Sequence, residues 1–90
     1  MKTTYDPAKY AITLAERGLD FDSAQAVFEG ATFDFQDTRK NYGETRIITY
    51  GLLEGRLVAV VWTQRGEARH IISMRKANER EIKQFQNRLG

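Results

Sequence analysis

Residues 56 to 63 read RLVAVVWT, an extended stretch that is apolar on both of its sides. Successive strand residues point to opposite faces of a sheet, so a strand of this kind needs packing material above and below it. It therefore predicts a central strand with a covering layer on each face. Its neighbours extend the pattern. RIITY ends at Gly51, Leu52 to Gly55 form a tight turn, and Arg65-Gly66 turns the chain into RHIISM. Three strands joined by such short connections predict an antiparallel meander. Upstream, Phe33 and Phe35 alternate with Thr32 and Asp34 as a half-buried strand should, and the polar loop QDTRKNYGET follows.

The segments on either side change period. Asp6-Pro7 opens a helix, Tyr10, Ala11, Leu14 and Ala15 form its apolar stripe, and Gly18 stops it. Asp22 with Gln25 reads as a capping box for a second helix that ends at Gly30. Asn78 with Glu81 caps a third, whose stripe is Ile82, Phe85 and Leu89. The predicted class is α+β: two N-terminal helices, an antiparallel sheet of three to four strands, and a C-terminal helix. Residues 3 to 5 form a possible further edge strand. Alternation places Arg69, Ile71, Ser73 and Arg75 on one face of the last strand, with His70, Ile72 and Met74 on the other. By the same rule Arg46, Ile48 and Tyr50 share a face.

Ninety residues, 41% of them hydrophobic, suit one domain spanning 1–90 with a single modest core. No apolar run approaches a membrane span, and MKTTYDPAKY has no signal-peptide core, so a cytoplasmic protein is expected. Without cysteine there is no disulfide framework, and one histidine argues against a zinc site; no metal or cofactor is expected. The net charge of +2 is unevenly spread. Residues 1–38 hold three Lys/Arg against seven Asp/Glu, whereas residues 39–90 hold eleven against five. A basic C-terminal portion favours a polyanionic partner, with nucleic acid the first candidate.

The cations cluster where strands begin and end. Arg65 lies in a turn, Arg75 and Lys76 at a strand exit, and Arg39 in the long loop. Planar guanidinium groups fit phosphate bidentately and stabilise the charge that develops on a scissile phosphodiester. RNA carries its own nucleophile, the 2′-hydroxyl, so a protein need supply only proton transfer and cations. Glu44 and His70 are the candidates for proton transfer. Each has a structural reading as well: Glu44 as a surface partner of Arg46 or Lys40, His70 as a core histidine beside Ile71 and Ile72, Trp62 and Tyr50 as core aromatics rather than base-stacking platforms. On these residues alone, a non-catalytic domain that binds nucleic acid or a partner protein through the same basic rim fits equally.

The wording of the segments goes further. DPAKY, RGLDFDSAQAVFEG, YGETRIITYG and GRLVAVVWTQRGEARHIISMRKANEREI together resemble the BrnT family of toxin–antitoxin systems, from Tyr5 to about Phe85. The most specific parts are the T-x-R-G turn at Thr63 to Gly66 and the I-I-S-x-R-K-A run at Ile71 to Ala77, in register behind G-E-x-R. The resemblance implies a RelE-like fold and a ribonuclease toxin held in check by a DNA-binding BrnA-like antitoxin, in a hetero-oligomer. Glu44, Arg46, Arg65, Ser73 and Arg75 match its polar motif positions, and Lys9 and Arg39 match less distinctively. The expected roles are catalytic for Arg65, Arg75, Glu44 and His70, and RNA-binding for Arg39, Arg46, Lys76 and Ser73. Three positions depart from many relatives: Gln64 stands where an acid is common, His70 where arginine is common, and Arg17 where histidine precedes the glycine.

Overall fold

The structure, a computed structural model, describes residues 2–39 and 41–89, excepting the side chains of Gln86 and Leu89. Lys40 and the Leu89 side chain thus lie outside the described residues. Five strands form one sheet: Lys2–Tyr5 (β1), Thr32–Gln36 (β2), Ile47–Leu53 (β3), Arg56–Arg65 (β4) and Ala68–Lys76 (β5). The spatial order is β1-β5-β4-β3-β2. Three helices accompany it, Pro7–Arg17 (α1), Ala24–Glu29 (α2) and Glu79–Leu89 (α3). The α+β class is as expected, and the RLVAVVWT segment lies in the middle strand. The sheet is larger than predicted and it is mixed, because β1 pairs parallel to β5 from Lys2↔Ala68 to Tyr5↔Ile71. Four residues are too few to show a period, so the edge strand had only a weak signature.

The β3–β4 turn places Glu54 and Gly55 at φ 52° and 77°. Two successive positive-φ residues match the twist of a two-residue hairpin. The β4–β5 pairing contains an irregularity that overturns simple alternation. Trp62 pairs with Ile71 while the adjacent Val61 pairs with Ser73, so Ile72 is an extra, bulged residue. Two apolar residues three positions apart, Ile71 and Met74, are both fully buried in one core cluster, which the bulge alone permits. Its other consequence concerns polar residues. His70, Ser73 and Arg75 pair with Thr63, Val61 and Ala59, which alternate along β4, so all three share one face.

Core residues lie on both faces. On the first, α2 and the 3-10 turn Phe21–Ser23 bring Phe21, Ala24 and Val27 against Val58, Val60, Ile71 and Met74. Tyr5, Tyr10 and Phe21 pack as an aromatic trio with centroids 5.0–5.8 Å apart. That trio turns α1 so that Thr13 is buried while Ala11, Leu14 and Ala15 are exposed, contrary to the predicted stripe. The predicted Asp22–Gln25 capping box of the second helix is not formed: α2 has Ser23 at its N-cap with no side-chain cap. Asp20 caps the preceding 3-10 turn, and Asp22 instead accepts from the Tyr5 hydroxyl. On the second face, α3 lays Phe85 over Tyr50, Leu57 and Ala59. Its capping box is as predicted: Asn78 Oδ1 accepts from the Glu81 N–H, and Glu81 Oε1 accepts from the Asn78 N–H, both at 2.9 Å. Ile82, in the predicted stripe, is 37% exposed.

Candidate active site

Helix α3 covers only part of the second face. Beyond it, toward the β4–β5 turn, the strands present polar side chains in place of apolar ones. Thr63, His70 and Thr4 are successive cross-strand neighbours on β4, β5 and β1. The Thr63 hydroxyl donates to the Thr45 carbonyl at 2.7 Å and ties the β2–β3 loop to β4. His70 Nδ1 lies 2.9 Å from Thr4 Oγ1. Burial pushes the His70 pKa below its ordinary value; Arg65 and Lys9 act in the same direction, against Glu44 and Asp6. Imidazole, carboxylate and guanidinium therefore share one neighbourhood, and the imidazole favours its neutral form.

The β2–β3 loop supplies the carboxylate. Glu44 stands between two guanidinium groups, 3.6 Å from Arg46 Nε through one oxygen and 3.6 Å from Arg65 Nη2 through the other. Arg46 lies with Cζ 3.9 Å from the centre of the Tyr42 ring, and its buried Nε has no hydrogen-bond partner. Arg65 remains 56% exposed at the end of β4, a cation held at one point but open to a ligand.

The other predicted residues lie elsewhere. Arg75 occupies the same face, but its cross-strand partner Ala59 is six residues from Arg65 along β4, roughly 20 Å at strand spacing. Both of its Nη groups donate to Glu81, at 2.8 and 2.9 Å, and the Tyr50 hydroxyl also donates to that carboxylate. The arginine and the tyrosine hydroxyl, with an N–H from Asn78, hold the buried Glu81 carboxyl at about 2, below its ordinary range. Ser73 lies between the two clusters. Lys76 pairs with Val58 and so belongs to the opposite face. Arg39 points to solvent from the loop and is paired with Asp37 at 2.9 Å. The four cations of the turn, loop and strand exit do not converge; Arg46 joins Arg65 instead. Trp62 takes its structural reading, donating through Nε1 to Thr49 at 2.8 Å and packing edge-on to Phe28. Tyr50 does the same through Glu81.

Residues 5–81 match the family model described as ribonuclease toxin, BrnT, of type II toxin–antitoxin system. The chain belongs to the BrnT family. Membership carries a protein antitoxin as partner and RNA as target. No curated protein matches the chain. Every residue of the Glu44, Arg46, Arg65 and His70 group falls inside the matched BrnT segment, as do Arg75 and Glu81. Among the described residues no helix is long and apolar enough to cross a membrane, and no three His, Asp or Glu side chains are grouped to hold a metal ion.

Sequence reading missed four residues of this candidate site. Thr4 touches His70 across 66 positions, which no local pattern reveals. Thr63 was visible only as part of the T-x-R-G turn. Asp37 and Tyr42 read as loop residues, although an acid and an aromatic five apart in a loop otherwise built of small and charged residues were a usable signal.

Proposed function

We propose that Glu44, Arg46, Arg65 and His70 form the cleavage centre of a metal-independent endoribonuclease whose nucleophile is the RNA 2′-hydroxyl. The observation that carries this reading is the shared electrostatic neighbourhood of Glu44, Arg65 and a neutral-favouring His70 on the sheet face beyond α3. With Nδ1–H donating to Thr4, the His70 Nε2 lone pair is free to take the 2′-hydroxyl proton. The 2′-oxygen attacks the adjacent phosphorus, the bond to the 5′-oxygen breaks, and that oxygen takes a proton from water. Arg65 and Arg46 stabilise the extra negative charge on the phosphoryl oxygens. Glu44, whose charge reaches His70, holds the two guanidiniums together and is the alternate base. Ser73 and the exposed part of Arg75 continue the RNA-facing surface along the sheet. A BrnA-like, DNA-binding antitoxin covering this cationic face neutralises the toxin in the cytoplasm.

Purified protein incubated with RNA in EDTA tests the reading. The expected products carry 2′,3′-cyclic phosphate and 5′-hydroxyl ends, and Arg65→Ala slows cleavage by about 10²- to 10³-fold. Intact RNA after incubation with wild type, or equal cleavage by Arg65→Ala, sinks the proposal.

A further inference from the structure

The loop that carries Glu44 has a buried charge at its root. Asp37 follows β2 directly, and its side chain is only 1% exposed. Carboxylates are seldom buried unless they are fully partnered. This one accepts from the Arg39 N–H at 3.1 Å, from Arg39 Nε and Nη2 at 2.9 Å each, and from the Tyr42 hydroxyl at 3.1 Å. Those donors hold its carboxyl well below the ordinary carboxylate range. Its own N–H donates to the Arg46 carbonyl at 2.8 Å, closing the two ends of the loop. The side chain thus fixes Tyr42, the Tyr42 ring seats the Arg46 guanidinium, and Arg46 stands beside Glu44, which stands beside Arg65.

We infer that Asp37 is a positioning residue for cleavage, acting through Tyr42 and Arg46 on the placement of Glu44 and Arg65. The inference rests on the ribonuclease reading above. Its physical content is that a surface ion pair at 3.6 Å is weak and mobile when isolated. Here the aromatic seat restricts Arg46, and the buried carboxylate restricts the seat. The ends of the loop are joined to the sheet by backbone hydrogen bonds in any case, so the Asp37 side chain serves the interior of the loop.

The test is a double-mutant cycle on RNA cleavage at saturating substrate, with Asp37→Asn, Arg46→Ala and the pair. Asp37→Asn is expected to lower kcat by about 10- to 100-fold, as small misplacements of catalytic groups do, with KM changed much less. If Asp37 acts through Arg46, the double variant is no slower than Arg46→Ala alone, because residues acting as a unit are non-additive. Tyr42→Phe, which keeps the ring but removes the hydroxyl that Asp37 holds, is expected to lose kcat about as much as Asp37→Asn, and Tyr42→Leu, which removes the seat but leaves the Asp37–Arg39 pair, at least as much. Additive losses in the cycle, or full kcat in folded Asp37→Asn or Tyr42→Leu, overturn the inference. Wild type that leaves RNA intact overturns the ribonuclease reading itself, and the two failures are told apart by that first measurement.

Discussion

Thr4 Oγ1 and His70 Nδ1 meet at 2.9 Å across the parallel β1–β5 pair, although 66 positions separate them in the chain. One hydroxyl thereby engages Nδ1 and leaves Nε2 as the ring nitrogen for the proposed proton transfer. In Thr4→Val the ring loses that partner, and kcat for RNA cleavage is expected to fall by about 10- to 100-fold, with Thr4→Ser retaining most activity. A Val variant as fast as wild type excludes orientation by Thr4.

The depressed pKa of His70 sets a pH dependence. The folded state favours the neutral ring, so its contribution to stability is fully present above the unfolded value near 6.5. It is lost as the pH falls through the lower, folded value. For cleavage the sign is the same: the acid limb of kcat/KM lies below pH 6.5, and His70→Gln removes it. Glu44, Asp6, Arg65 and Lys9 all act on this ring through their charges, so the midpoint belongs to the group. An unchanged acid limb in His70→Gln assigns the base to Glu44.

Glu81 fastens α3 to the sheet. Its carboxylate takes both Nη groups of Arg75, the Tyr50 hydroxyl and the Asn78 N–H. Glu81→Ala strands a half-buried guanidinium and a buried phenol, at an expected cost of about 3 kcal/mol measured by urea unfolding. Because the Glu81 pKa is lowered to about 2, its contribution is present above the unfolded value near 4.5 and lost as pH falls toward 2. The difference between wild type and Glu81→Gln should therefore shrink on acidification, and a constant difference argues against the pairing.

Gly51 lets α2 settle on β3. A Cβ there would sit 2.7 Å from Val27 Cγ1 and 3.2 Å from Thr32 Cγ2. Gly51→Ala is expected to destabilise by about 1–3 kcal/mol through overpacking. Adding Val27→Ala removes the nearest clash, so the double variant should lose less than the sum of the singles.

Local chemistry made much of this fold readable. The meander was legible because Gly55 and Gly66 mark its turns and β4 is apolar on both sides, and α3 because Asn78 and Glu81 cap each other reciprocally. What failed depended on partners distant in sequence. The bulge at Ile72 exists to bury Ile71 and Met74 together, and it moved His70 onto the face of Ser73 and Arg75. Tyr10 turns α1 toward Tyr5 and Phe21, which left Leu14 outside. Within the site, Glu44 and Arg65 stood in recognisable motifs, whereas the locking of Arg75 by Glu81 depends on where α3 lies against the sheet.

The placement of Lys76 separates RNA binding on one face from binding on both. Its cross-strand partner Val58 belongs to the α2-covered core, and Lys76 lines a cavity of about 400 Å³ with Arg56, Asp20 and Glu54. Arg65 lies at the other end of β4, on the opposite face. A cation that neutralises a phosphate of single-stranded RNA adds about 0.7 to the slope of log affinity against log salt. Arg65→Ala is therefore expected to lower that slope by about 0.7, measured with a non-cleavable 2′-deoxy-substituted oligonucleotide. Lys76→Ala should leave the slope where it is, because no strand confined to the His70 face reaches it. Equal losses from both substitutions would require the RNA to pass around the sheet, and the one-face geometry proposed for this toxin would then be wrong.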